Sequence, residues 1–355
     1  MGVSMKVFRL LALVLVAWLG LAAGPTTAAF AQNGLERFEK DVKPQFEFEK
    51  FTYESGQAVG NSGFVLNKVI AVVPANAATG DKASTVKIDK VTVEELDFDH
   101  LKKTDDDMPR FAKLKLEGMT GDDELFTSLT PYGIPNVPVD IVFDYRLDGA
   151  SKVLTLNKLE IGLRGQARIA VELVMDGITD KASQMDKAKD DGRLRTASVT
   201  LDDQGLISKL LPALAKENGD KPENLVAIAL MGIAGFSEGQ GPATMKVLDT
   251  VASFVSDWKA PKGPLTLGVK PAKSASLSDL DKVMQPNALV EVFGLNGFVI
   301  GPVIAAMFIA AWDIYSTSRE AAVTDGARSS FLPWVKLTKA SSKRGVKDAP
   351  SITRS

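Results

Sequence analysis

The chain contains no cysteine and only one histidine, His100, among its 355 residues. The missing thiols exclude disulfide bonds, thiolate catalysis and cysteine-ligated zinc. A lone imidazole without a cysteine or histidine partner cannot form a usual zinc site either. The hydrophobic core must therefore stabilise the fold without covalent cross-links, and we expect neither a metal ion nor a cofactor.

A surplus of positive charge is missing as well, because the formal net charge is −2. Surfaces that bind nucleic acid usually carry a basic excess that neutralises phosphate groups. The glycine-rich patterns G-x-G-x-x-G and G-x-x-x-x-G-K-[ST], which cradle nucleotide phosphates, do not occur. We therefore expect no nucleic acid among the partners.

The first 31 residues have the pattern of a secretory signal peptide. Lys6 and Arg9 precede the apolar stretch "LLALVLVAWLGLAA" (10–23), and Ala29 and Ala31 offer a small-x-small cleavage site. A retained anchor is the alternative, but the apolar stretch falls short of the ~20 residues that span a bilayer. An exported protein without cysteines fits a Gram-negative periplasm better than a disulfide-stapled extracellular module.

From residue 46 to residue 202 the apolar residues recur with a period close to two. The pattern is seen in "FEFEKFTY", "KIDKVTVEELDF", "FAKLKLEG", "VDIVFDYRLDG" and "VLTLNKLEIGLRG". Such alternation is typical of antiparallel strands with one buried and one wet face, and it predicts a meander of about seven or eight strands within residues 32–202. In the last stretch, one face is predicted to carry Val153, Thr155, Asn157, Leu159, Ile161 and Leu163.

The period changes after Asp202, where helical patterns begin. Asp202 and Asp203 are helix-start residues and Gly219 is a stop signal. The apolar stripe between them consists of Leu206, Ile207, Leu210, Leu211 and Leu214. Two more helices are predicted in "KPENLVAIALMGIAGF" and "PATMKVLDTVASFVSDW", followed by a strand in "GPLTLGVKP" and a helix in "SLSDLDKVM". We expect this helical portion, residues 203–290, to pack on the sheet.

Parts of this region resemble alphaproteobacterial periplasmic proteins of unknown function. The resemblance rests on "VTLDDQGLISKLLPALAKENGDKPENL" and "APKGPLTLGVKPAKSASLSDLDKVMQPNALVEVFGL", and it covers residues 38–295. It implies a curved antiparallel sheet paired with a few helices, an envelope location and no catalytic residue. The expected fold class is therefore α+β, a curved antiparallel β-meander packed against a helical group.

Two short motifs are typical of serine chemistry. "GFSEG" places Ser237 in the G-x-S-x-G pattern of a nucleophile elbow, but His100 precedes it, whereas the hydrolase order places the histidine after the serine. "SDWK" places Ser256 before Lys259 without the companion motifs of Ser-Lys enzymes. A glycine-rich connector and a cation at a helix C-terminus explain these motifs better, so we predict no catalytic residue and no enzyme.

Two carboxylate clusters, Asp105–Asp107 and Asp190–Asp191, are candidates for binding calcium. Neither has the alternating spacing and the glycine of an EF-hand loop. We therefore predict solvated turns at both places.

The longest uncharged stretch after the signal runs from Val292 to Trp312. As a helix its 21 residues are ~31 Å long, which matches a ~30 Å hydrocarbon core. Aromatic residues and a basic tail follow, so the positive-inside rule places the tail in the cytoplasm. We predict one transmembrane helix over 291–315 and a basic disordered tail over 316–355, with a buried hairpin broken at Gly301-Pro302 as the alternative. The predicted membrane-anchor residues are Val292, Phe293, Gly301, Pro302, Phe308, Trp312 and Tyr315.

The stretch "VFGLNGFVIGPVIAAMFIAAWDIY" resembles the final transmembrane segment of the AI-2E (PerM-like) transporter family. That segment has a glycine-rich entry, a Gly-Pro pair and an apolar run that ends in aromatic residues. The resemblance covers residues 292–320 only, and the family's preceding membrane helices have no counterpart in the mature sequence. It implies a gene fusion, a frameshifted join or an acquired anchor, and no transport activity.

These features predict a non-catalytic protein of the periplasmic envelope, anchored to the inner membrane by its C-terminal helix. A sheet with one apolar face beneath apolar helices forms either an ordinary core or a groove for a lipid or acyl ligand, since such grooves are mostly apolar. We expect it to bind that lipophilic ligand or an envelope partner. The alternative is a membrane transport component that works with a polytopic membrane protein, or a product derived from an AI-2E transporter. A serine hydrolase is the third hypothesis.

Overall fold

An antiparallel sheet forms the body of the described structure. The computed structural model describes residues 32–75, 82–101, 106–122, 129–134, 136–184, 191–217, 219–237, 241–271 and 275–276. The strands are β1 (Lys50–Thr52), β2 (Ser55–Val59), β3 (Gly63–Val73), β4 (Ser84–Leu96), β5 (Phe111–Gly121), β6 (Val139–Asp148), β7 (Val153–Leu163), β8 (Ala167–Asp176), β9 (Arg193–Asp203), β10 (Leu265–Val269) and β11 (Ala275–Ser276).

Neighbours in the sheet follow the order β1-β3-β4-β5-β6-β7-β8-β9-β10, and every pair is antiparallel. Strand β2 also pairs with β3, and β11 also pairs with β9, so each edge of the sheet is shared by two strands. The sheet is curved and does not close. The predicted mixture of helices with a curved antiparallel meander is therefore confirmed.

The helices before β5 are short, and those after β9 are longer. They are α1 (Gly34–Arg37), which continues into a π-helical turn (Phe38–Val42) and a 3-10 turn (Lys43–Gln45), then α2 (Phe98–Leu101), α3 (Leu206–Glu217), α4 (Pro222–Ser237) and α5 (Pro242–Ser256). Further 3-10 turns lie at Thr130–Tyr132 and Ala182–Gln184. Helix α4 packs between α3 and α5, while α5 also contacts β10.

The start of α3 follows the sequence prediction. Asp203 accepts hydrogen bonds at Oδ1 from the backbone N–H groups of Leu206 (2.8 Å) and Ile207 (3.1 Å). These are N–H groups that the first helical turn leaves without a partner, and a carboxylate also favours the positive end of the helix dipole. Gly219 follows the helix with φ +67°, the left-handed conformation that commonly ends helices.

One apolar face continues across the whole sheet because directly opposite residues project to the same side. From β3 to β6 this face runs through the register pairs Phe64↔Val93, Val93↔Leu114 and Leu114↔Phe143. From β6 to β10 it continues through Phe143↔Leu159, Leu159↔Val171, Val171↔Val199 and Val199↔Leu267. The core is thus a single layer on one side of a long sheet.

The predicted face of β7 was wrong in its first half. Leu156 pairs with Tyr145, whereas Leu159 pairs with Phe143, so the register shifts at Asn157 and Lys158. A bulge changes the side to which the following residues point. The apolar face of β7 therefore carries Leu154, Leu156, Leu159, Ile161 and Leu163, and the other face carries Val153 and Thr155.

The strand predicted in "FEFEKFTY" was also too long. Only Lys50–Thr52 forms ladder pairs, with Ile70–Val72 of β3. The preceding aromatic rings cluster together instead: Phe46 lies 5.5 Å from Phe48 and 5.0 Å from Phe51 between ring centroids. Aromatic packing over the N-terminal turns thus replaces strand pairing at this point.

The remaining predictions near the C-terminus lie outside the described residues. They concern the helix in "SLSDLDKVM", of which only Ser276 is described, in strand β11, and the anchor residues Val292, Phe293, Gly301, Pro302, Phe308, Trp312 and Tyr315. The predicted signal peptide, residues 1–31, lies outside them too. Within the part of the chain that the structure describes, none of the helices has the length and apolar character needed to cross a membrane.

Candidate functional site

The first half of the apolar face is sealed by the N-terminal helical turns. Asn33 and Glu36 form a capping box that fixes the start of α1. Phe38 follows and stacks on Phe64 of β3 with 4.4 Å between the ring centroids, and both side chains are 0% exposed. Helix α2 adds the buried Phe98 to the same cluster. This end of the sheet is an ordinary closed core.

Strand β7 differs, because it lies in the middle of the sheet and yet contains no buried residue. Its five apolar side chains on the core side are all partly exposed, and so are their neighbours Phe143 and Tyr145 on β6. Strand β8 on the other side buries Val171, Leu173 and Met175. The β6–β7 strip, as we call it here, consists of Phe143, Tyr145, Leu154, Leu156, Leu159, Ile161 and Leu163.

The β6–β7 strip is apolar along its length. Its one polar group, the Tyr145 hydroxyl, donates a hydrogen bond to the backbone carbonyl of Pro109 (2.7 Å). The strip contains no charged side chain, since the charged residues of β6 and β7 occupy the opposite face. Such a surface can hold a hydrocarbon chain, because the surface provides apolar contact area and has no free polar group for a polar ligand.

The opposite face of the sheet is covered by exposed ion pairs between neighbouring strands. Examples are Lys113 with Glu94 (2.5 Å) and Arg168 with Asp202 (2.8 Å). Burial raises the pKa of the Asp140 carboxyl, but hydrogen bonds from Arg164 and from a backbone N–H outweigh it and hold that pKa below its usual value. In these pairs each carboxylate is matched by a cation, so they leave little unbalanced charge for a ligand.

His100 is held beside a carboxylate rather than beside a nucleophile. Its Nδ1 lies 2.6 Å from Asp97 Oδ2, and both side chains are largely buried. Asp97 also accepts a hydrogen bond from the backbone N–H of Arg110 (3.0 Å) and so links α2 to the start of β5. Among the described residues no three potential ligands come together around a metal position.

The two serine motifs fall at the ends of helices. Ser237 is the last residue of α4, and its hydroxyl donates to the carbonyl of Ala234 (2.6 Å). A nucleophile elbow instead needs a strand before the serine. Ser256 donates to the carbonyl of Ala252 (2.7 Å), while Lys259 pairs with Glu223 of α4 (3.0 Å). Neither hydroxyl is therefore presented to a base by these contacts.

The first carboxylate cluster connects two loops. The Asp106 carboxylate accepts hydrogen bonds from the N–H (2.6 Å) and the hydroxyl (3.0 Å) of Ser183. Asp107 pairs with Lys181. Asp105 and Asp190 lie outside the described residues, and Asp191 is exposed. The described part of this cluster thus serves as a link between chain segments.

The β6–β7 strip was missed in the sequence, although a signal for it is present. In "VLTLNKLEIGL" the first two leucines lie at even-numbered positions, 154 and 156, and the apolar residues from Leu159 onward lie at odd-numbered ones. This change of parity at Asn157 and Lys158 marks the bulge. The prediction of a single alternation across both residues placed Leu154 and Leu156 on the wrong side.

Comparison with known proteins gives one result. A model of a family described as an uncharacterized protein matches residues 160–297. The described part of that range holds the end of β7, strands β8 to β11 and helices α3 to α5. A search of curated proteins found no match. The description of that family names no activity. The resemblances to alphaproteobacterial periplasmic proteins and to AI-2E transporters stay predictions.

Proposed function

We propose that this protein is a non-catalytic lipid-binding protein of the periplasmic envelope, which holds an acyl or isoprenoid chain on the β6–β7 strip. The proposal rests on the observation that β7 is a central strand without a buried residue. Leaving apolar area in contact with water forgoes about 25 cal/mol for each Å². A ligand that covers the strip would recover this free energy.

The chemistry of the strip selects the ligand class. Its apolar side chains are aligned along two neighbouring strands, and its hydroxyl is already engaged by Pro109. An extended hydrocarbon chain fits this arrangement, because its charged headgroup can stay outside in water. Burying a charged group on the strip without a partner would cost several kcal/mol.

A photoactivatable palmitic acid that carries a diazirine tests the proposal on the full chain. After illumination, mass spectrometry of peptides is expected to locate the adducts within β7. Leu159→Asp should reduce labelling about tenfold, because the new carboxylate lies under the apolar chain. Thr155→Asp is the matched control, since Thr155 lies on the other face of the same strand and its substitution should leave labelling unchanged.

A second variant separates loss of binding from loss of folding. Leu159→Trp fills the strip without introducing a charge and should also prevent labelling. Circular dichroism checks that each variant keeps its sheet. Equal labelling of Leu159→Asp, Leu159→Trp and the unchanged chain would contradict the proposed site.

The proposed location follows from the predicted signal peptide and from the uncharged segment Val292–Trp312. We propose that the mature chain lies in the periplasm and is anchored in the inner membrane, with its tail in the cytoplasm. A C-terminal tag tests this by carbonate extraction and by protease access from the periplasmic side. Release of the intact chain by carbonate would overturn the anchor.

The transport alternative makes a different prediction in the same preparation. A subunit of a transporter should copurify with a polytopic membrane protein in a fixed ratio. A lipid-binding protein should instead bring lipid with it. Isolation of a stoichiometric polytopic partner without bound lipid would favour the alternative over the proposed function.

A further inference from the structure

Helix α4 is more apolar and more exposed than the rest of the helical group. None of its residues with a described side chain is buried, and Ile228 and Met231 are 57% and 65% exposed. Large exposed apolar side chains that lie next to one another mark an interaction surface, whereas isolated ones are common.

The large exposed side chains of α4 lie on one face. Val226, Leu230 and Ile233 are partly buried and lie on one side of the helix, consistent with its packing against α3 and α5. The opposite side is exposed, and we call it the α4 face; it consists of Ala227, Ile228, Met231, Ala234 and Gly235. Met231 is three residues from Ile228 and Ala234 and four from Ala227 and Gly235, so these positions align along the helix.

The α4 face carries no charge. The sequence has no Asp, Glu, Lys or Arg between Glu223 and Glu238. Interfaces between soluble proteins usually include a polar rim, and they favour aromatic residues and arginine at the centre. Small and aliphatic residues alone are better matched to lipid chains than to a soluble partner.

The dimensions of α4 limit what can cover its exposed face. Its 16 residues make a helix ~24 Å long. A helix of this length is too short to cross a ~30 Å hydrocarbon core, so it can lie on a bilayer but cannot span it. A strip ~24 Å long and ~10 Å wide has an area of roughly 240 Å². A second copy that docked through this face alone would therefore fall short of the ~800 Å² per partner of a stable interface.

The number of residues between β11 and the proposed anchor allows α4 to reach a membrane. Strand β11 ends at Ser276, and the uncharged segment begins at Val292. The 15 residues between them can extend over at most ~50 Å. If Val292 lies at the surface of the bilayer, a connection of this length is long enough to let the helical group reach that surface.

We propose that the α4 face lies in the interface of a lipid bilayer, with its apolar side chains at the boundary between headgroups and acyl chains. This inference rests on the membrane anchor of the proposed function. Helices that lie in the interface bury an apolar face at the boundary between headgroups and acyl chains. In α4 the side away from the exposed face packs against α3 and α5. The contact orients the helical group, and thereby the sheet, towards its source of lipid.

The absence of cysteine allows a direct test, because a single introduced cysteine is the only site for a thiol label. Met231→Cys is labelled with an environment-sensitive fluorophore in the full chain, reconstituted into vesicles of phosphatidylethanolamine and phosphatidylglycerol. Glu172→Cys, which is exposed on the polar face of the sheet, is the control. Quenching is measured with nitroxide-labelled lipid and with iodide in the water.

We expect lipid nitroxide to quench the Met231 label at least about threefold more than the Glu172 label, with iodide giving the reverse order. Equal access of iodide to both labels would overturn the inference. Protection of the Met231 label from both quenchers would overturn it as well, since another protein surface, from a second copy or from the chain's own C-terminal segment, would then cover α4.

Two further measurements separate this inference from the proposed function. A chain that resists carbonate extraction while its Met231 label stays open to iodide would contradict the α4 contact and leave the anchor intact. Release by carbonate would contradict the anchor on which the inference rests. In the Ile228→Cys chain, adding Met231→Asp should abolish quenching of the position-228 label by lipid nitroxide. The same substitution should leave the palmitate labelling of β7 unchanged.

Discussion

Gly118 shows how a single backbone conformation supports the sheet. It lies where the pairing of β5 with β6 shifts register, has φ +67°, and donates its N–H to Asp140 Oδ1 (2.7 Å). A Cβ at this position would lie 2.1 Å from Asp89 Oδ2. Because Asp89 is an exposed side chain that can move, the left-handed backbone accounts for most of the cost of a substitution.

Gly118→Ala should therefore lower the free energy of unfolding by about 1–2 kcal/mol. Urea unfolding followed by circular dichroism measures the change. Gly162→Ala is the matched control, since Gly162 has an ordinary φ and the nearest atom to its Cβ position is 3.9 Å away. An equal loss in both variants would mean that strand propensity, and not the bulge, sets the cost.

Tyr53 supplies a pH dependence at the N-terminal end of the sheet. Burial raises the pKa of its hydroxyl to about 12, and a hydrogen bond to the Glu39 carboxylate adds to the shift. The neutral phenol is thus favoured in the folded state. The associated stability is complete below the ordinary value of 10.0 and is lost as pH rises from there through the folded pKa.

The absorbance difference between the unchanged chain and Tyr53→Phe should titrate at about 12. In Glu39→Gln the midpoint should fall only part of the way towards 10.0, because burial is the larger cause and remains. Between these pH values, urea unfolding of Tyr53→Phe should depend less on pH than that of the unchanged chain. A Tyr53 midpoint near 10.0 in the folded protein would contradict this account.

At the scale of elements, the turns from Gly34 to Gln45 cover the first half of the core, and the Phe38 ring makes the central contact. Phe38 contacts Phe46, Phe51 and Phe64, with centroid distances of 5.9, 6.1 and 4.4 Å. Phe38→Ala should cost about 3–5 kcal/mol, since a fully buried ring leaves a cavity. Phe48→Ala should cost clearly less, because Phe48 is only partly buried.

Urea unfolding of both phenylalanine variants checks this expectation. If the N-terminal turns contributed little, the two losses would be similar and small. A large loss for Phe38→Ala alone would show that the sheet depends on a segment that contributes no strand to its centre.

The elements that the sequence predicted well are those with a long, uninterrupted period. Strand β6 keeps alternating from Val139 to Leu147, and α3 has a start signal, an apolar stripe and a glycine stop. The N-terminal turns were missed because they are too short to show a period, although Asn33 and Glu36 carry the capping signal.

The candidate site was harder to predict for a physical reason. Alternation shows which residues share a face, but it does not show how completely another element covers that face. Phe64 and Leu159 are both large apolar residues in alternating stretches of the sequence. Phe64 is covered by Phe38, whereas the Leu159 side chain is partly exposed. Only the tertiary arrangement distinguishes a closed core from a partly open apolar surface.

At the scale of the whole molecule, the two faces of the sheet make unequal contributions to stability. The polar face carries exposed ion pairs, such as Arg146 with Glu95 and Arg195 with Asp176, each at 2.5 Å. Exposed pairs contribute about 0–1 kcal/mol each and are screened by salt. Most of the free energy of folding must therefore come from the apolar face.

We expect the free energy of unfolding to change by less than about 2 kcal/mol when NaCl is raised from about 0.1 M to 1 M. Urea unfolding at both concentrations measures it. A larger decrease would mean that the ion pairs act as a cooperative network. Arg146→Gln, which removes one exposed pair, serves as the reference for a single contribution.

Both margins of the sheet are divided between two short strands, of three and five residues beside β3 and of five and two residues beside β9. A strand from a neighbouring chain could pair with at most five consecutive residues of an edge strand. Interior strands are longer, with eleven or thirteen residues in β3, β4 and β9. Short edge strands prevent one sheet from growing onto another. Crowded copies of this protein should accordingly remain separate particles and resist assembly into fibrils.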